Sequence, residues 1–298
     1  MNIKNKLFLA PMAGVNDIAF RLLCRKYGAD IVMTEMISVN ALSRDNKATL
    51  KLIETIDEEK PIGIQLFGTR LDAYKKSLKI AEDDFDFIDV NFGCPATKVI
   101  KQGSGSALLK RPAKIKEIVE FLVSNSKKPI SGKIRIALDK NDSLKSAKMV
   151  EDGGASFIIV HGRTVGQGYS GNVNYDGIKN IKDNLNIPVV GNGDIKDRES
   201  LEKMKETNVD AFMVGRAAMG NPLVFTEIKK GKEIELNKKI NVLYEYWNLS
   251  EKLNCQNFNR LKALSLYVVK GFNGCAKYRQ KISLSKNFEE WDKIVNGL

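Results

Sequence analysis

Phe85-Asp86-Phe87-Ile88-Asp89-Val90-Asn91-Phe92-Gly93-Cys94-Pro95 is the stretch whose reading decides the fold of this chain. The segment up to Val90 is a short apolar run and reads as a buried strand. Proline cannot continue a strand ladder, so the strand ends near Cys94. That leaves a thiol at the strand's C-terminal tip with the amide side chain of Asn91 beside it. A free thiol has a pKa of about 8.5 and is mostly protonated at neutral pH, so it can donate a proton as well as attack as a nucleophile. The competing reading is a small buried hydrophobe, the usual fate of an unpaired cysteine.

Outward from this strand, short apolar strands alternate with helical patterns up to about residue 228. Strands are expected at 7–12, 31–35, 62–67, 86–91, 130–135, 157–161, 188–191 and 211–215. Helix-like stretches fall at 17–27, 71–82, 113–125, 143–152, 175–185 and 198–206. Asp17, Asp142 and Asp197 sit at N-cap positions, and Gly28 and Gly153 at helix stops. Eight such units predict an α/β fold of the (β/α)8 TIM-barrel kind, for which roughly 250 residues is typical. The alternative is an open doubly wound sheet.

The chemistry-bearing residues separate the two arrangements. Pro11-Met12-Ala13, Glu35, Gln65, Asn91 with Cys94, Lys133 with Arg135, His161 with Arg163, Asn192-Gly193-Asp194 and Gly215-Arg216 all fall near strand C-termini. A barrel gathers eight such ends around one mouth, whereas an open sheet scatters some of them away from a single crevice. After Glu227 a charged link, Lys229-Lys230-Gly231-Lys232-Glu233, leads into a wholly helical pattern. Ile240, Leu243, Tyr244 and Trp247 recur at helical spacing, as do Leu261, Leu264, Tyr267 and Val268, with Gly271 as a C-cap. Asn287 and Glu290 resemble a capping box. The expected organisation is a barrel over 1–228 and a small all-helical domain over 235–298.

Hydrophobic residues make up 43% of the 298, enough for a packed core. The sequence holds no window apolar enough for a membrane span and no signal-peptide pattern, so no membrane partner is expected. The four cysteines form no CxxC pair and none matches the single histidine in ligand spacing. No metal site is expected, and a reducing cytoplasm fits. The sequence does not give the oligomeric state, and a monomer is the favoured expectation. The net charge of +12 makes a polyanionic partner plausible, against the alternative of a lysine-rich codon bias. Residues 229–298 hold 14 Lys and Arg against 7 Asp and Glu, a net +7, which leaves +5 for the longer remainder. The basic excess is therefore concentrated in the helical part.

Strand seven runs into Gly191-Asn192-Gly193-Asp194, and strand eight into Gly215-Arg216. In a barrel these two loops are the usual phosphate site, where glycine lets backbone N–H groups approach an anion and Arg216 adds charge. Lys133 and Arg135 share a strand face, and two inward cations are costly unless an anion or a cofactor lies beside them. His161 closes its strand and is open to either a structural or a catalytic reading. Gly166-Gln167-Gly168-Tyr169-Ser170-Gly171 matches GxGxxG, but Gly162-Arg163-Thr164-Val165 intervene after the strand and no helix opens inside it. It fails as a dinucleotide fingerprint and is expected to be a mobile loop over the site with Tyr169 as its large aromatic.

Taken together, the strings Ala10-Pro11-Met12-Ala13-Gly14, Gln65-Leu66-Phe67-Gly68, Asn91-Phe92-Gly93-Cys94-Pro95, Gly105-Ser106-Ala107-Leu108-Leu109, His161-Gly162-Arg163-Thr164, Gly191-Asn192-Gly193-Asp194-Ile195 and Val214-Gly215-Arg216 resemble the tRNA-dihydrouridine synthase family, in its order and over nearly the whole chain. The tail string Val269-Lys270-Gly271-Phe272 matches as well. The resemblance implies an FMN barrel and a helical domain that holds tRNA, with NADPH or NADH as reductant. It implies FMN contacts from Pro11, Met12, Ala13, Gln65, Lys133, His161, Asn192, Gly193, Asp194, Gly215 and Arg216. Reduced FMN would deliver hydride to C6 of a uracil, and Cys94 would protonate C5. Asn91 would orient the uracil, with Arg135 and Tyr169 also on the substrate side. The tail's excess of cations makes Lys270, Lys277, Arg279 and Lys281 the candidates for tRNA contact. A flavin barrel acting on a free pyrimidine would explain the flavin motifs without the basic tail. A non-enzymatic RNA-binding protein would leave Cys94 and Lys133 unexplained.

Overall fold

The computed structural model describes residues 1–270 and 274–297. The expected cap at Gly271 and part of the string Val269-Lys270-Gly271-Phe272 lie outside the described residues. Eight parallel strands form the barrel: β1 (Leu7–Leu9), β2 (Val32–Ser38), β3 (Ile62–Phe67), β4 (Phe87–Asn91), β5 (Ile130–Arg135), β6 (Phe157–His161), β7 (Val189–Asn192) and β8 (Ala211–Val214). Each strand pairs with its sequence neighbour, β8 returns to β1, and a bridge from Phe8 to Ile31 closes the ring between β1 and β2. The open-sheet alternative is thereby excluded.

Period-2 alternation divides each strand between two cores. Phe8, Met33, Phe87, Phe157, Ile159, Val190 and Met213 fill the barrel interior. Phe87 and Phe157 meet edge to face there at 5.3 Å between ring centroids. Ile64, Ile88, Val90, Ile134, Val160 and Val214 face outward and pack under the helices. Lys133 and Arg135 alternate with Ile134 and Ile136, so the expected inward placement of both cations holds.

Asp17 and Asp197 cap the helices Ile18–Lys26 and Arg198–Lys205, as expected. Asp142 does not cap. The helix Lys140–Asp152 starts earlier because Asp139 accepts the Asn141 N–H at 2.6 Å. At the chain's end Asn287 caps Phe288–Val295, but Glu290 turns its carboxylate to the Lys286 N–H, so only half of the expected capping box forms. The last barrel helix, Val224–Lys230, runs past residue 228 and stops at Gly231 in the left-handed conformation.

The helices Leu236–Lys252, Phe258–Val268, Cys275–Leu284 and Phe288–Val295 form the helical part. Its centre is aromatic: Trp291 is fully buried, Tyr244 meets it at 5.1 Å, and Phe288 stacks on Trp247 at 5.0 Å. Val242, Leu243, Tyr246, Leu264 and Val268 continue this core onto Phe20 and Leu23 of the first barrel helix. No described helix is long and apolar enough to cross a membrane.

Candidate active site

The tip of β4 is built by one side chain. Asn91 Oδ1 accepts the N–H groups of Gly93 at 3.1 Å and Cys94 at 2.8 Å, which folds the chain back over the end of the strand. The Cys94 carbonyl accepts the Ser106 N–H at 3.1 Å, so the following 3-10 turn (Gly105–Lys110) is anchored beneath the thiol. Gly105 has φ +61°, and a Cβ there would lie 2.9 Å from the Cys94 carbonyl and 2.7 Å from Val99. A side chain is excluded on both grounds. Cys94 is a free, half-buried thiol in this arrangement.

Facing it stands a group of cations. Lys133 Nζ donates to Asn192 Oδ1 at 3.0 Å, and Asn192 donates in turn to the Met213 carbonyl at 2.9 Å. Burial, followed by the repulsion of Arg135, pushes the Lys133 ammonium down to about 7. Cys94 and Asp89 act on Lys133 in the opposite sense. Arg135 is buried and donates to the carbonyls of Gly168 at 2.7 Å and Thr164 at 3.2 Å. His161 is pushed down to about 2, by burial first and then by Lys133, Arg135, Arg163 and Arg216, so it is neutral at any working pH.

Asp194 lies between two guanidinium groups. Arg163, 3% exposed, pairs with it from one side, and Arg216 reaches it at 2.6 Å from the other. Its carboxylate is therefore turned to these arginines, which leaves the glycine backbone and the cations to face an anion. Arg216 also donates to the Tyr169 carbonyl at 3.0 Å, and Arg135 and Arg216 lie 5.5 and 5.1 Å from the Tyr169 ring centroid. Arg163 holds the carbonyls of Ser170 and Gly171. The loop expected to be mobile is thus strapped down by three arginines, with the Tyr169 ring left exposed.

Pro11, Met12 and Ala13 follow β1 in a turn held by Asn16, whose amide donates to the Ala10 carbonyl at 2.7 Å and the Met33 carbonyl at 2.9 Å. Gly14 N–H donates to Glu35 at 2.6 Å. Gln65 is buried on β3 and accepts from Asn91 Nδ2 at 2.8 Å. The barrel thus brings Pro11, Met12, Ala13, Gln65, Asn91, Cys94, Lys133, Arg135, His161, Tyr169, Asn192, Gly193, Asp194, Gly215 and Arg216 to one end. Lys270, Lys277, Arg279 and Lys281 are not part of this group. They are exposed on the helical part, and Arg279 lies about 200° round its helix from Lys277, so the four do not share one face.

The residues fit a flavin mononucleotide. Gly193 has φ +140° and a Cβ there would meet Val173 at 2.8 Å, whereas a Cβ on Gly215 would meet only Ala10, at 3.5 Å. Open backbone at Gly215 therefore lies beside Arg216, and burial, with four cations adding to it, suppresses protonation of His161. A phosphate matches that field. Asp89 and Arg260 escaped the sequence reading. Asp89 was detectable by parity, since it shares the inward face of β4 with Asn91. Nothing local marked Arg260, which reaches Asp17 at 2.8 Å and Glu35 at 2.6 Å from the helical part.

The sequence model of the family described as "Dihydrouridine synthase (Dus)" matches residues 8–296. A "Probable tRNA-dihydrouridine synthase" of Aquifex aeolicus is 33% identical over 98% of this chain and 95% of its own length. A "tRNA-dihydrouridine synthase B" of Pasteurella multocida is 38% identical, covering 82% of this chain and 77% of that protein. One of Pseudomonas putida is 40% identical over 76% and 68%. With its eight-stranded barrel and a thiol at the mouth, the chain is of the α/β-barrel enzyme class. It belongs to the dihydrouridine synthase family.

Proposed function

We propose that this protein reduces the C5–C6 double bond of uridines in tRNA, as a flavin-dependent oxidoreductase with Cys94 as the proton donor. The observation that carries the reading is the Cys94 tip. Its backbone is fixed by Asn91, and its thiol faces Lys133 and Arg135 closely enough to influence both cations. FMN would be held by the turn Pro11–Ala13, by Gln65 and Lys133, and by Gly193, Gly215 and Arg216 at its phosphate. When bound and reduced by NADPH or NADH, it supplies the hydride that uracil C6 needs.

The chain's own residues do the rest. Cys94 gives its proton to C5 as the hydride arrives, and solvent then restores the thiol. Lys133 and Arg135 stabilise the negative charge that develops on the uracil carbonyl as C6 is attacked. His161, kept neutral by burial and then by the surrounding cations, offers a hydrogen-bonding edge without adding charge. Arg135 and Arg216 hold Tyr169 at the rim, where its exposed ring can stack on the base or its neighbour.

A uracil in folded tRNA must leave its stack to reach the mouth, at a cost of a few kcal/mol. Contacts to the basic helical part, read as a unit over 235–298 beside a catalytic unit over 1–228, would offset that cost. A tRNA substrate places the protein in the cytoplasm, and a monomer suffices for every contact described. Cys94→Ala should keep its flavin and its NADPH-driven flavin reduction while turnover on tRNA drops roughly 10²–10⁴-fold, the range for a lost general acid. Undiminished dihydrouridine in tRNA, mapped by mass spectrometry, removes the mechanism. Turnover on free uracil in place of tRNA removes the substrate.

A further inference from the structure

Asp89 is fully buried inside the barrel, in register with Gln65 of β3 on one side and Ser131 of β5 on the other. Its two oxygens are both used: Oδ1 accepts the Ser131 hydroxyl at 2.7 Å, and Oδ2 accepts Gln65 Nε2 at 2.7 Å. The chain of contacts then continues without a break. Gln65 Oε1 accepts Asn91 Nδ2 at 2.8 Å, and Asn91 Oδ1 accepts the backbone N–H groups of Gly93 and Cys94.

The two ends of this chain allow only one direction. A carboxylate is an acceptor and nothing else, and a backbone N–H is a donor and nothing else. Gln65 must therefore present its NH2 to Asp89, which turns its carbonyl to Asn91. Asn91 must then present its NH2 to Gln65, which turns its carbonyl to the Cys94 loop. Either amide flipped alone would set NH2 against NH2 or carbonyl against carbonyl in a buried site, where an unmade bond costs about 1–3 kcal/mol. The low local dielectric gives such a closed network more weight than its separate pairs.

We propose that Asp89 is a positioning residue. By fixing the sense of the Gln65 and Asn91 amides it holds the Cys94 loop in place; the second N–H of Asn91 is directed at Met36 Sδ at 3.9 Å, which leaves the second N–H of Gln65 for a ligand. The site would thus offer a donor at Gln65 and would select a carbonyl oxygen there, such as that of an isoalloxazine edge. This rests on the reading of Cys94 as the proton donor and of Gln65 as a flavin contact. The ionised form needed is supported by the partners of Asp89: burial raises its carboxyl to about 6, against the opposing pull of Gln65, Ser131 and Lys133.

The test measures the loop without requiring turnover. The rate of Cys94 alkylation by iodoacetamide is followed by peptide mass, with half-buried Cys275 as the internal reference. Asp89→Leu removes the acceptor at similar size and should shift the Cys94-to-Cys275 ratio by at least about tenfold, the effect of about one lost buried hydrogen bond. The exchange Asp89→Asn with Gln65→Glu reverses donor and acceptor in the first link and keeps the sense of Asn91. It should bring the ratio back to within about twofold of wild type. Gln65→Glu alone sets two carboxyl groups together and should not. The exchange should also weaken FMN binding, read by flavin fluorescence, because it replaces the free N–H of Gln65 by an acceptor.

A folded Asp89→Leu protein with an unchanged ratio overturns the proposal. So does a folded exchange variant whose ratio stays as displaced as that of Gln65→Glu, and this comparison decides the matter if Asp89→Leu does not fold. Full FMN affinity in the exchange variant overturns the donor sense assigned to Gln65. Because alkylation needs neither tRNA nor turnover, the ratios test the network apart from the catalytic reading: full dihydrouridine formation by Cys94→Ala would remove that reading and leave the network standing.

Discussion

The single histidine makes the electrostatics of the mouth directly measurable. His161 carries the only imidazole in the chain, so one ring resonance in a proton NMR titration belongs to it without assignment. Burial and the cations Lys133, Arg135, Arg163 and Arg216 push it from 6.5 down to about 2. In the unfolded chain it takes a proton near pH 6.5. Between these limits the unfolded state binds one proton more than the folded state, so folding stability falls as pH drops below 6.5. At pH 4.5 the loss from this group is about 3 kcal/mol. Above pH 6.5 it contributes nothing to the pH dependence. Other groups also titrate in acid, so the quantity to read is a difference. His161→Gln stays neutral throughout, and wild type should lose about 3 kcal/mol more than this variant between pH 7.5 and 4.5 in urea unfolding. The ring resonance of folded wild type should stay at its neutral position down to pH 4. A midpoint near 6.5, or equal acid sensitivity in the two proteins, would refute the picture of a dry, strongly cationic mouth.

Three further outcomes follow from other parts of the molecule. Arg216→Ala should weaken FMN binding roughly tenfold or more, the loss of a charge-assisted contact, and equal affinity would remove the phosphate assignment. Arg260→Met leaves the carboxylates of Asp17 and Glu35, each 8% exposed, without their cation and should cost about 3 kcal/mol in chemical denaturation, so an unmoved midpoint would show that the contact between helical part and barrel does not depend on it. Changing Lys270, Lys277, Arg279 and Lys281 together to Glu should raise KM for tRNA and flatten the salt dependence of binding while flavin content stays constant, and a wild-type salt slope would assign these charges to simple solvation.

The barrel was legible in the chain because its signal is local. Each strand is a short apolar run ended by Gly, Pro or a polar residue, and several helices begin at a capping Asp or Asn. The period-2 pattern even placed Lys133 and Arg135 inside, since parity along a strand needs no knowledge of its neighbours. Where the reading slipped, two local signals competed. Asp139 and Asp142 are equally good capping residues, and the bond to Asn141 decided for the first. The loop carrying Tyr169 has a mobile composition, and only distant arginines show that it is tied down.

By itself the sequence determined the eight βα units, the helical ending, the thiol at the tip of β4 and the family. All of these rest on residue type and spacing along one segment. Tertiary structure alone decided what those residues do to each other. It set Asp89 beneath Gln65 and Asn91, placed Asp194 between Arg163 and Arg216, and carried Arg260 from the helical part to Glu35. It also gathered four cations around His161. The direction of a hydrogen-bond chain and the depth of a pKa shift depend on burial and on partners distant in sequence. Neither leaves a periodic trace along the chain, so both become visible only once the barrel closes.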